Sequence, residues 1–177
     1  MIKRSFAFLA VLVFLASTGC SKIGDLFTVS VDADFTVDLP VSIAGPDMKT
    51  GSYAFDVTKT INLADEPDLV DYIDKIKGIS LSTMSSTVMG LALVIQLLDA
   101  TLTFSGNGES VSWSFTNLSI QNGTALVLAN NAGQFDTVST ILEGLGDVVV
   151  RFSGNSNMNN VEYTLTNVLS AAVKAGL

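Results

Sequence analysis

The chain has 177 residues, with 17 Asp and Glu against 9 Lys and Arg, a formal charge of −8 and no histidine. An acid excess without a basic cluster argues against nucleic acid as a partner, because phosphate contacts need Lys and Arg. The missing imidazole removes the commonest general base and metal ligand. The single cysteine, Cys20, removes intrachain disulfides and Cys-built metal centres.

Lys3 and Arg4 precede an apolar run from Phe6 to Ala16. That run suits the core of an export signal and is short for a membrane span. Ser17, Thr18 and Gly19 then lead to Cys20. This order resembles the lipobox of bacterial lipoproteins, whose cysteine accepts a diacylglycerol and becomes the new N-terminus. Ser17 stands where that pattern usually carries Leu. The expected division is a signal peptide over 1–19, a lipidated tether over 20–26 and one domain over 27–177. Losing Lys3 and Arg4 moves the charge from −8 to about −10. Such a surface gains nothing from anionic lipid heads, so membrane attachment falls to acyl chains on Cys20.

From Phe27 to Ile43, apolar residues alternate with polar ones that include Asp32, Asp34 and Asp38. Period two with one apolar face predicts a half-buried antiparallel strand. At ~3.3 Å per residue it would outrun a small domain, so a bend or change of sheet is expected. Pro40 cannot donate to a ladder and favours an edge. A turn around Gly45-Pro46-Asp47 and Gly51 follows, and Tyr53, Phe55, Val57, Ile61 and Leu63 resume the alternation.

Asp65 to Gly78 has the spacing of a helix, with Asp65 as N-cap, Leu69, Val70, Ile73 and Ile76 as its stripe and Gly78 beyond its end. Leu91, Leu93, Ile95 and Leu97 share one parity, whereas Leu98, Ala100, Leu102 and Phe104 take the other. A bulge or turn near Leu97 and Leu98 reconciles them, and the stretch from Gly90 to Leu98 is expected to be a strand buried on both faces. Gln134 to Glu143 predicts a second short helix, with Phe135, Val138, Ile141 and Leu142 inward and Gly144 as its stop.

A repeat joins the two halves. Leu102 to Asn107, ending Phe-Ser-Gly-Asn, leads to the alternating strand Val111 to Asn117. Val150 to Asn155 ends the same way and leads to Val161 to Asn167 across a longer loop. Two β-hairpins are expected, and Asn122-Gly123 adds another hairpin turn. The predicted fold is all-β: an antiparallel two-sheet sandwich, jelly-roll or Greek-key in style, with two short capping helices.

The chain resembles small bacterial cell-envelope lipoproteins. The resemblance rests on the signal through Cys20, the strand Phe35 to Val41, the entry Asp65-Glu-Pro-Asp68 with Tyr72 to Ile76, and the paired Phe-Ser-Gly-Asn segments. It implies a β-sandwich on a lipid tether and carries no catalytic residues. Ser21, after the cysteine, implies outer-membrane sorting because it is not Asp.

Other constellations have plainer explanations. Asp32, Asp34 and Asp38 could offer oxygen ligands to calcium, but a solvated acidic face explains them and no ligand-rich loop adjoins. Asp99, Glu109, Asp136, Glu143, Asp147 and Glu162 contain no pair singled out by spacing for glycoside hydrolysis. Tyr53, Trp113 and Tyr163 share parity with apolar neighbours, so packing is expected over a sugar-stacking platform. Asn117-Leu-Ser119 and Asn122-Gly-Thr124 match the glycosylation sequon, but a bacterial lipoprotein would not normally meet that machinery. The sequence predicts a lipid-anchored, non-enzymatic envelope protein without cofactor, its partners the membrane and other envelope proteins. A glycan- or small-ligand-binding module is the alternative.

Overall fold

The structure is a computed structural model describing residues 28–45, 51–63, 69, 71–144 and 146–176. The leader, Cys20, the tether, Phe27, Pro46-Asp47 and the Asp65 cap lie outside the described residues. The first alternating segment forms β1, Thr28–Ile43, and the C-terminal one forms β8, Val161–Gly176. They pair antiparallel over their whole length, from Thr28↔Gly176 to Ile43↔Val161. Of the two expected outcomes, a bend or a change of sheet, the change of sheet does not occur. The length of β1, ~50 Å at the usual rise, is matched by an equally long partner. Val37, Leu39, Val41 and Ile43 are buried while Asp32, Asp34 and Asp38 are exposed. β1 lies at a sheet edge, where Pro40 loses no ladder bond.

The other strands are β2 (Tyr53–Asn62), β3 (Ile76–Met89), β4 (Ile95–Gly106), β5 (Glu109–Ile120), β6 (Ala125–Leu126) and β7 (Asp147–Ser156). They form two four-stranded antiparallel sheets, ordered β1-β8-β3-β6 and β2-β7-β4-β5. The pairs β1–β8, β2–β7, β3–β6 and β4–β5 are the rungs of one long folded hairpin. The further pairs β3–β8 and β4–β7 arise when that hairpin is rolled up. Consequently every connection crosses between sheets except β4–β5.

This topology corrects the hairpin repeat. β4 and β5 do form a hairpin, closed by Asn107 and Gly108 at φ 50 and 76, a pair of positive values suited to a two-residue turn. β7 and β8 instead belong to different sheets, so the second copy arches across the core. Both strands alternate, and alternation does not say which neighbour a strand takes. Likewise Asn122-Gly123 makes a turn, with Gly123 at φ 84, but leads from β5 to β6 in the other sheet.

The bulge near Leu98 is present. β4 slips by one residue against β7 between Leu97 and Asp99, so Ile95 and Leu97 on one side of the slip and Ala100, Leu102 and Phe104 on the other are all buried. The expected doubly buried strand from Gly90 is not. β4 begins at Ile95, and Leu93 and Val94 in the preceding connection are 59% and 60% exposed.

The helix expected over Asp65 to Gly78 is also corrected. Among its described residues there is one 3-10 turn, Ile73–Lys75, and Ile76 to Gly78 already belong to β3. Here β8 has two open sides, and Ile76↔Ala175 and Gly78↔Lys174 close the second. Satisfying a buried strand's backbone outweighs the local helical spacing. The second helix, α1, spans Gln134–Glu143 as expected, with Val138, Ile141 and Leu142 buried. Asn130 Oδ1 accepts the Phe135 N–H near its N-terminus, at 3.0 Å.

Rather than closing an end of the sheets, α1 covers the edge of β3 that the two-residue β6 leaves open. The Ile79 N–H donates to Glu143 Oε1 and the Leu81 N–H to Ser139 Oγ, both at 2.9 Å. Side chains thus replace a missing strand and blunt an exposed edge. One continuous core joins both sheets and α1, with Leu39, Leu102, Phe104, Phe152 and Leu165 fully buried. Each such side chain contributes roughly 1.5–3 kcal/mol of transfer free energy.

Candidate functional site

The sugar-stacking candidates turn inward. Tyr53, Trp113 and Tyr163 are 6%, 6% and 5% exposed. Trp113 meets Phe104 edge-on, with ring centroids 6.0 Å apart, and its Nε1–H donates to the Ala129 carbonyl at 2.8 Å. Its apolar body is packed and its single donor satisfied, as a core indole requires. Burial pushes the Tyr163 phenol well above its ordinary pKa.

The carboxylates scatter. Glu143 serves the β3 edge. Asp99 accepts from Asn155 Nδ2 at 2.9 Å, Asp147 from Asn62 Nδ2 at 3.3 Å, and Asp38 from Thr166 Oγ1 at 2.7 Å. These are lateral pairs between neighbouring strands on water-facing surfaces. Among the described residues, no three of His, Cys, Asp and Glu gather as a metal cluster would. Asp56 and Arg151 form a two-pronged ion pair, Nε to Oδ1 at 2.8 Å and Nη2 to Oδ2 at 2.5 Å. The guanidinium holds the Asp56 carboxyl below its usual range. Both are about half exposed, which keeps the pair a surface feature.

Besides a small groove of about 170 Å³ where Glu143 meets Gly78 and Ile79, two surface features stand out among the described residues. At the far end of the first sheet from Thr28, a trough of about 430 Å³ is lined by Pro40, Ser42, Met89, Gly90, Glu162 and Thr164. Met89, Leu93 and Val94, all exposed, lie at and just beyond the end of β3 there. A second groove, about 260 Å³, opens between β1 and β2 and includes Lys59. Composition does not distinguish Lys59, but it shares the parity of Tyr53, Phe55, Val57 and Ile61, a cation where the strand otherwise presents apolar groups.

No family model and no curated protein matches the chain. Among solved structures, a chain from Desmodium yellow mottle tymovirus is similar at 10% identity over 84% of each chain, with a TM-score of 0.34. That score is too low to carry a conclusion about fold or function.

Proposed function

We propose that the protein is a lipid-anchored component of the bacterial cell envelope with a non-enzymatic structural or interaction role. The observation that carries this reading is the basic, apolar and small-residue order that runs into Cys20. Support comes from the position of the folded domain, whose first described strand starts at Thr28, eight residues past that cysteine. The exposed group Met89, Leu93 and Val94 lies at the other end of the sheet, ~40 Å away at the rise of β3. A tethered domain would hold this end away from the lipid, where a partner could meet it. Ser21 favours the outer membrane.

The domain itself is an eight-stranded jelly roll within the β-sandwich class. The orders β1-β8-β3-β6 and β2-β7-β4-β5 support this assignment, being those of a rolled hairpin that forms two Greek keys.

Membrane fractionation of the native protein and of Cys20→Ala tests the anchor. The native protein is expected in the membrane fraction and the variant in the soluble fraction, with unchanged far-UV circular dichroism. A variant that stays membrane-bound contradicts lipid attachment.

A further inference from the structure

We infer that the groove between β1 and β2 binds a small amphipathic carboxylic acid, with Lys59 meeting the carboxylate. Lys59 pairs across the ladder with Val150, which is fully buried, so its side chain leaves β2 on the core-facing side. Phe35, Ile61 and Leu63 supply apolar lining, while Thr36, Thr60 and Asn62 stand at the groove with them. Its volume of about 260 Å³ is just under the ~300 Å³ at which pockets for drug-sized molecules begin. A chain or ring of modest size fits.

Charge selects the head group. Among the described residues, Lys59 is the only charged one that lines the groove, and it has no ion pair. Asp34 and Asp38, the nearest acids along β1, share the parity of Thr36 but do not line the groove, and Asp38 is engaged by Thr166. On β2, Asp56 is engaged by Arg151. An ammonium beside an apolar floor complements a molecule with one anionic end and a hydrocarbon body. Since Lys59 remains exposed, binding should weaken with salt.

The test is an isothermal and NMR titration of the mature chain with octanoate, using neutral octanamide as a length-matched control. Saturable octanoate binding is expected, with amide shifts concentrated at 35–36 and 59–63. Lys59→Gln should weaken it at least tenfold, Lys59→Arg should largely restore it, and Lys174→Gln at the distant end of β8 should leave it unchanged. Octanamide should bind at least fivefold more weakly than octanoate. Absence of saturable binding overturns the inference, as does equal binding by Lys59→Gln or equal affinity for octanamide. A Lys59→Gln variant that binds normally but self-associates would instead make Lys59 a guard against edge-to-edge pairing.

Discussion

Truncating Trp113 to Ala tests whether the indole belongs to the core or to a surface that recognises sugars. The ring is 6% exposed, packs edge-on against Phe104 and donates to the Ala129 carbonyl. Large-to-small replacement of a buried aromatic costs roughly 3–5 kcal/mol. Within that total, the ring pair accounts for about 0.5–1.5 kcal/mol and the hydrogen bond for about 1 kcal/mol. Trp113→Phe keeps most of the hydrocarbon, so it should cost about a third as much. Domains of this kind are stable by only about 5–15 kcal/mol. Trp113→Ala should therefore remove a large share of the stability and lower the melting temperature by about 6–20 °C. Urea unfolding followed by far-UV circular dichroism is the suitable assay, because the variant lacks the chain's only tryptophan. A change below about 1 kcal/mol for Trp113→Ala would refute core packing and return the ring to a binding surface.

Gly154→Ala should lower stability by roughly 1–3 kcal/mol, because an added Cβ would lie 2.2 Å from the Asp99 carbonyl oxygen at the β4 bulge; an unchanged urea midpoint would contradict that close approach. Ser86→Ala should be neutral or stabilising by up to about 1 kcal/mol, since the buried Ser86 hydroxyl has no partner among the described residues; a clear loss of stability would show that the hydroxyl is bonded. Tyr163 stays protonated in the fold after its unfolded counterpart ionises. Its contribution is complete below the unfolded pKa of about 10 and falls above it, by at most ~1.4 kcal/mol per pH unit. Melting temperatures from pH 8 to 11 should decline less steeply for Tyr163→Phe than for the native protein, and parallel curves would refute the assignment.

The parts of the fold legible in the sequence are those fixed by local chemistry. β1, β2 and the β4–β5 hairpin follow from period-two alternation and from Asn107-Gly108. The parity switch at Leu97 and Leu98 foretold the β4 bulge, and the stripe of α1 foretold its burial. β3 was not legible: Ile76 to Gly78 read as the end of a helix, and no element was expected from Ile79 to Met89. It is rich in Ser and Thr, buries only Ile79, Leu81, Ser86 and Val88, and has irregular register at Ile76/Gly78 and Leu81/Thr83. These features erase its period. Sheet membership was equally hidden, because Val161, Tyr163 and Leu165 would face a core whether β8 paired with β7 or arched away from it. For the candidate site, parity alone marks Lys59 as unusual, but its neighbour across the gap, Phe35, comes from a strand whose position only the rolled topology determines.

Cys20 as the acylated first residue of the mature chain is the premise of the proposed lipid anchor. Mass spectrometry of the N-terminal peptide, purified from native membranes, addresses this directly. The expected result is a peptide starting at Cys20 with the mass of a diacylglyceryl group on sulfur. A peptide that starts at Met1, or an unmodified Cys20, would contradict it.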